Sequence, residues 1–154
     1  MDTPGQIELF VFREAGKYII EFLNPARSVI AYILDPALAK TASGFVSQLL
    51  LSISTNFRLS QFQINILSKA DMLSDNELKQ VEKWSHDSDD LNNALLNEKA
   101  SIYREMSEGL FNLINGFGNQ GRIFPIGKEN FFGIEDLYTQ IQLYFEGGED
   151  LMKD

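Results

Sequence analysis

Apolar residues along this chain alternate between helical spacing and short continuous runs. Helical spacing predicts helices over residues 8–22, 37–57, 75–85, 91–96, 101–114 and 134–145. Continuous apolar runs, typical of strands buried on both faces, occupy residues 28–34, 63–67 and 122–126. Because strands alternate with helices, we predict an α/β fold in which helices flank a partial parallel sheet of about three strands.

Local side-chain patterns add detail to these elements. Ser74 followed by Glu77 predicts a capping box at the start of the helix over 75–85. Residues 86–90 are predicted to form an acidic loop. Buried faces are predicted in three helices, formed by Phe12, Ala15, Ile19 and Phe22, by Phe45, Leu49, Ser52 and Ile53, and by Tyr138, Ile141, Leu143, Tyr144 and Phe145.

Composition limits the class of protein. The chain has 154 residues, of which 44% are hydrophobic, and it contains no cysteine, so it can form one globular core without disulfides. The net charge of −9 argues against a nucleic-acid partner, and no apolar run is long enough to span a membrane. We therefore expect a cytoplasmic protein with one domain over residues 1–146, a helical insertion over about 75–115 and a flexible tail over 147–154.

The first residues, Asp2-Thr3-Pro4-Gly5-Gln6, have side chains suited to a nucleotide phosphate and its metal ion. Parallel α/β sheets place their ligand loops after the strands. In such a loop Asp2 can hold Mg²⁺, the N–H of Gly5 can approach a γ-phosphate oxygen, and Gln6 can orient water. A Pro-Gly turn before the following helix explains the same residues equally well.

A second loop, Ser68-Lys69-Ala70-Asp71, directly follows the predicted strand over 63–67. The carboxylate of Asp71 can accept hydrogen bonds from N1–H and the amino group of guanine, whereas adenine offers no matching pair of donors. The methylene stem of Lys69 can lie along the face of the base. A solvated loop is the alternative. After the third strand, Gly127 leaves room for a backbone N–H to reach the guanine O6.

Together these motifs resemble the GPN-loop GTPases, a family of P-loop NTPases. The likeness includes Ile7-Glu8 after the first loop, Tyr32-Ile33-Leu34-Asp35-Pro36 in the middle and Gly133-Ile134-Glu135-Asp136-Leu137 near the end, so it spans almost the whole chain. Ser68 and Gly127 depart from the Asn and Ala that guanine-binding loops usually have at these positions.

The resemblance implies GTP binding and slow GTP hydrolysis by a homodimer. It implies that Asp2 serves Mg²⁺, that Gly5 contacts the γ-phosphate, and that Gln6 and Glu8 form the catalytic switch. The residues that would bind the guanine nucleotide are Gly5, Ser68, Lys69, Asp71 and Gly127.

No Gly-x-x-x-x-Gly-Lys-Ser/Thr motif occurs in the sequence, and three strands are few where about five or six are usual. We therefore expect the chain to be the C-terminal portion of a GTPase, beginning at the magnesium and γ-phosphate loop, and to be inactive alone. The alternative is a non-catalytic α/β module for protein–protein interaction, derived from a GTPase. Truncation would leave a sheet edge open, so we also predict oligomerisation.

Two further patterns match binding motifs only in part. Gly116-Phe117-Gly118-Asn119-Gln120-Gly121 fits a dinucleotide fingerprint, but it follows a predicted helix and precedes a strand, the reverse of what that motif requires. The acidic residues of 86–90 fit a calcium loop in part, but Leu91 and Asn92 stand where an oxygen ligand and a glycine are needed. We expect a solvated loop there.

Overall fold

The computed structural model of the protein describes residues 10–24, 26, 28–98, 122–128 and 131–149, with side chains described up to residue 146. The predicted helix over 101–114 and the glycine-rich segment 116–121 lie outside these residues. In chain order the elements are α1 (Glu14–Leu23), β1 (Ile30–Leu34), α2 (Pro36–Ala39), α3 (Ala42–Leu59), β2 (Gln63–Leu67), a 3₁₀ turn (Ala70–Met72), α4 (Asp75–His86), α5 (Ser88–Asn97), β3 (Ile123–Pro125) and α6 (Ile134–Glu149).

The three strands form one parallel sheet in the order β1-β2-β3. Leu34 at the end of β1 pairs with Leu67 at the end of β2, and Leu67 pairs with Pro125 at the end of β3. The predicted α/β class with a short parallel sheet flanked by helices is therefore confirmed. Because the three strands end in register, the loops that follow them lie at one edge of the sheet.

The main core lies between one face of the sheet and α3, α4 and α5. Leu34, Leu67 and Ile123 from the three strands join one buried cluster with side chains of these helices. The predicted buried face of α3 is confirmed, because Phe45, Leu49, Ser52 and Ile53 are all buried. Within this cluster the rings of Phe45 and Trp84 lie 6.1 Å apart, so α4 is packed directly on α3.

Helix α6 covers the opposite face of β2 and β3. Its Leu137 and Ile141 pack against a buried cluster of Ile64, Ile66 and Phe124. Tyr144 stacks on Phe62 with ring centroids 3.9 Å apart. The predicted face of α6 is only partly correct, because two of its members, Tyr138 and Leu143, are 60% and 59% exposed.

Strand β1 is buried on one face only, which corrects the expectation of burial on both. Ala31 and Ile33 pair with Ile64 and Ile66 of β2. They therefore lie on the sheet face that α6 covers at β2 and β3. Ile33 is nevertheless 56% exposed. Among the described residues, α6 packs on β2 and β3 but does not extend over β1.

The buried side of α1 also differs from the prediction. Gly16 and Ile20 are buried, whereas Ala15 is exposed and Phe22 is 89% exposed. Phe12, which was predicted on the same face, lies before α1 begins and is 49% exposed. Ile20 packs with Leu59 at the end of α3. Apolar residues lie on more than one side of α1. Their spacing therefore did not show which side packs against Leu59.

Side-chain caps set several helix boundaries. Asp35 caps α2 by accepting from the Ala37 N–H at 2.8 Å, and Thr41 caps α3 by accepting from the Gly44 N–H at 3.2 Å. The single helix predicted over 37–57 is therefore two helices. The capping box of Ser74 and Glu77 is confirmed.

The predicted acidic loop over 86–90 is wrong, because only Asp87 lies between α4 and α5. Its carboxylate accepts from the N–H groups of Asp89 and Asp90 at 3.0 and 3.1 Å and so begins α5. Asp90 also forms an ion pair with Lys83 of α4. The acidic residues thus form the start of a helix.

At the other end of the chain, α6 continues past its predicted end at residue 145 to Glu149. None of the helices described is both long and apolar enough to cross a membrane.

Candidate functional site

The loops after β2 and β3 are joined by backbone hydrogen bonds at the carboxyl edge of the sheet. The N–H of Ile126 donates to the carbonyl of Leu67, and the N–H of Ala70 donates to the carbonyl of Ile126, both at 2.9 Å. These bonds extend the pairing of β2 and β3 beyond the strands. As a result, the predicted base-binding residues Lys69, Asp71 and Gly127 lie together.

The backbone of Lys69 turns the first of these loops sharply. Lys69 has φ 53° and ψ 41°, a left-handed conformation that few residues other than glycine adopt. The 3₁₀ turn Ala70–Met72 follows directly, and the N–H of Met72 donates to the Lys69 carbonyl at 2.9 Å. The turn keeps the side chains of Lys69 and Asp71 exposed on the rim of one cavity.

The Asp71 carboxylate is held from the neighbouring loop. Its Oδ1 accepts a hydrogen bond from the backbone N–H of Lys128 at 3.1 Å. A Cβ atom added to Gly127 would lie 3.2 Å from the same oxygen, which is tighter than an ordinary contact. Glycine at 127 therefore lets the loop approach the carboxylate closely. The N–H of Gly127 itself donates to the Phe132 carbonyl over 3.3 Å.

Ser68 has a different position from the other predicted base-binding residues. It is half-buried and does not line the cavity. Its hydroxyl donates to the carbonyl of Leu34 at the end of β1, at the long distance of 3.5 Å. Gln48 of α3 also holds this end of β1, since its side chain accepts from the N–H of Asp35 at 2.6 Å and donates to its carbonyl at 3.2 Å.

The cavity beside these loops has a volume of about 330 Å³. Met72 and Ile134 line it, although the sequence predicted a site role for neither. Met72 follows Asp71 directly, which could have suggested it, but no local signal linked Ile134 to this loop. The described residues that line it are Lys69, Asp71, Met72, Ile126, Gly127, Lys128 and Ile134.

A larger cavity of about 430 Å³ lies along β3, between α4 and α6. Charges of both signs line it, including Glu82, Arg122 and Asp136. Arg122 lies 5.2 Å from the centre of the Phe124 ring. Of the residues that the structure describes, none lines both this cavity and the one beside Asp71. Its greater volume therefore does not make it the better candidate, because none of the predicted site residues that the structure describes lines it.

The predicted phosphate and metal residues Asp2, Gly5, Gln6 and Glu8 lie outside the described residues, and their roles stay predictions. Within the described ranges, no group of three or more His, Asp or Glu side chains is arranged to hold a metal ion. Of the predicted site, the described residues thus include those assigned to the base, Ser68, Lys69, Asp71 and Gly127.

Comparison with known proteins gives the same family by sequence and by structure. The family model described as "Conserved hypothetical ATP binding protein" matches residues 1–147. GPN-loop GTPase PAB0955 of Pyrococcus abyssi is 29% identical over 139 residues, which cover 90% of this chain and 55% of that protein. GPN-loop GTPase 3 of Xenopus tropicalis is 26% identical over 97% of this chain and 54% of its own.

The fold agrees with a solved relative. The crystal structure of PAB0955, described as a GTPase in apo form from Pyrococcus abyssi, matches with a TM-score of 0.76 at 25% identity. The match covers 94% of this chain and 57% of that one. The chain therefore spans about half the length of the curated relatives it matches. Since the family model covers nearly all of the sequence and the fold agrees, the chain belongs to the GPN-loop GTPase family.

Proposed function

We propose that this chain binds the guanine base of GTP and GDP, and that it does so as part of a protein that hydrolyses GTP to GDP and phosphate. The observation that carries the proposal is the exposed Asp71 carboxylate, fixed by the Lys128 N–H on the rim of a cavity that Lys69 also lines. The names of the relatives, which are GTPases, support the same nucleotide.

The hydrogen-bonding capacity of Asp71 suits guanine. An ionised carboxylate has about four acceptor positions, and the Lys128 N–H uses one of them. The N1–H and amino group of guanine can take two more. Adenine has no such pair of neighbouring donors, so it would leave these acceptor positions without a hydrogen bond from the base. We therefore propose guanine as the base although the family description names ATP.

The loop after β3 would complete recognition of the base. The Gly127 N–H donates to the Phe132 carbonyl over 3.3 Å, near the upper end of hydrogen-bond distances. A long bond is readily exchanged, so we propose that this N–H turns to the guanine O6. The stem of Lys69 would lie along one face of the base.

Phosphate chemistry is proposed from the sequence alone. Asp2 would hold Mg²⁺, which neutralises phosphate charge when it is bound, Gly5 would contact the γ-phosphate, and Gln6 and Glu8 would form the switch. The 154 residues contain no Gly-x-x-x-x-Gly-Lys-Ser/Thr motif to hold the phosphates. We therefore propose that this chain alone recognises the base but does not hydrolyse GTP.

We further propose that the protein acts as a homodimer. The alternative, a non-catalytic module for protein–protein interaction, would use an exposed apolar surface of the same kind. Large apolar side chains on α1 are exposed, with Tyr18 at 63%, Phe22 at 89% and Leu23 at 50%. Exposed apolar side chains grouped on one helix are typical of interaction surfaces.

Calorimetric titration with GDP and ADP tests the base assignment. We expect the chain to prefer GDP by at least about ten-fold, the effect of losing one hydrogen bond to a charged group. Asp71→Asn should lose that preference and favour xanthosine diphosphate, because its amide N–H can donate to the oxygen that replaces the guanine amino group. Asp75→Asn, an exposed carboxylate on α4 away from the cavity, is the matched control. Equal affinity for GDP and ADP would contradict the proposal.

A further inference from the structure

The first residue of α6, Ile134, lies at the cavity that Lys69 and Asp71 line. Its side chain is 43% exposed, so part of it is accessible to a ligand in the cavity. Neither of the two predicted base loops contains it. It reaches the cavity because the chain after β3 turns back on itself before α6 begins.

Gly133 makes this turn possible. Its φ of +79° lies in the left-handed region, and a Cβ at this position would collide with the carbonyl oxygen of Pro125. The start of α6 is thus held beside the end of β3, and Ile134 follows at once.

A purine base has two flat apolar faces and a polar edge. At this site Asp71 and the Gly127 N–H are suited to the edge, and the Lys69 stem is suited to one face. Apolar side chains are required at a second face if the base is to be removed from water. Ile134 is an aliphatic residue of this cavity that is still partly exposed. It belongs to α6 and not to either of the two base loops.

We propose that Ile134 is a further base-binding residue, which packs its side chain against the purine ring and is positioned there by the turn at Gly133. This inference rests on the proposed function, since it deepens the description of the same site. An apolar contact with a ring does not distinguish guanine from adenine. Ile134 would therefore contribute to affinity for purines, whereas Asp71 would contribute to selectivity.

Titration of the 154-residue chain with GMP and with AMP separates these contributions. For Ile134→Ser we expect roughly ten-fold weaker binding of GMP, the scale of a lost apolar contact in a pocket, with the ratio of GMP to AMP affinity unchanged. Ile134→Leu should bind like the wild type. Leu143→Ser, the same kind of change on an exposed part of α6 outside this cavity, should also leave binding unchanged.

The outcomes distinguish this inference from the proposed function. If the wild type prefers GMP and Ile134→Ser binds it equally well, the role of Ile134 is wrong and the guanine assignment stands. If Ile134→Ser alters the ratio of GMP to AMP affinity, a contact with the ring face is likewise excluded. If the wild type shows no GMP binding or no preference for it, both proposals fail. Far-UV circular dichroism of Ile134→Ser verifies that its fold is retained.

Discussion

The backbone N–H of Lys128 donates a hydrogen bond to the carboxylate of Asp71 across 3.1 Å. These two residues follow neighbouring strands and are 57 positions apart in the chain. The carboxylate that we assign to base selection is therefore oriented by a second loop. Because this hydrogen bond already restricts the carboxylate, less conformational entropy is lost when a ligand binds.

Two glycines in the loop after β3 should respond very differently to alanine. Gly127→Ala is expected to change the free energy of unfolding by no more than about 1 kcal/mol, because the new Cβ meets the exposed Asp71 side chain, which can shift. Gly133→Ala is expected to destabilise by about 1–3 kcal/mol, because it combines a left-handed backbone with contact against the Pro125 carbonyl. Urea unfolding of both variants measures the difference.

Nucleotide titration of the same pair gives a second readout. Gly133→Ala should also weaken GMP binding, since it displaces the turn that places Ile134 at the cavity. Gly127→Ala presses on Asp71 Oδ1 directly, so its effect should appear in the preference for guanine over adenine. Equal stabilities for the two variants would contradict the assigned role of Gly133.

Glu98, which follows α5, stabilises the start of α3. Its carboxylate accepts from the N–H of Ala42 at 2.7 Å and from that of Ser43 at 3.3 Å, so it caps a helix from a distant part of the chain. Glu98→Ala is expected to lower the free energy of unfolding by about 1 kcal/mol. Glu98→Gln, which keeps one acceptor oxygen but no charge, should lower it less. Chemical denaturation at pH 7 measures both, and identical losses would exclude a contribution from the charge.

Glu77 should make stability depend on pH in the acidic range. The hydrogen bond from the Ser74 N–H, followed by the contact with Lys40, lowers the pKa of Glu77 from 4.5 to about 2. A carboxylate with a lowered pKa in the folded state stabilises the protein above its unfolded pKa, and that stabilisation is lost as pH falls through the folded pKa. The wild type should therefore exceed Glu77→Gln in stability at pH 7, and the difference should shrink between pH 4.5 and 2.

Unfolding midpoints at several pH values between 7 and 2 test this dependence. Gln at position 77 retains an oxygen for the Ser74 N–H, so the comparison isolates the effect of charge. Lys40→Met should reproduce only part of the difference, because the bond to Ser74 remains. A constant difference between wild type and Glu77→Gln across this range would show that the ionisation of Glu77 is not linked to folding.

The exposed side chains of α1 should promote self-association. Sedimentation velocity over a range of concentrations is expected to show a dimer, and Phe22→Ser should shift it towards monomer, since Phe22 is 89% exposed. Leu38→Ser is the matched control, because Leu38 is 57% exposed but lies on α2. A wild type that stays monomeric at high concentration would contradict both the homodimer and the predicted oligomerisation.

Much of the site could be predicted because its residues are consecutive. Lys69 and Asp71 follow β2 directly, so a strand and a short motif were sufficient to locate them, and Gly127 follows β3 in the same way. Ile134 could not be predicted, because it reaches the cavity through a turn whose geometry depends on contact with Pro125. The role of Ser68 was also hidden, since its hydroxyl contacts a neighbouring strand.

The same division holds for the fold. The sequence alone determined the strand over Gln63–Leu67 and the capping box at Ser74, because both depend on residues within a few positions of one another. It did not determine which side of α1 is buried or that Ile33 is exposed on β1. Those features depend on which distant element packs on each face, so only the tertiary structure decided them. Apolar spacing indicates that a helix or strand has an apolar face. Which element packs on that face depends on contacts between distant parts of the chain.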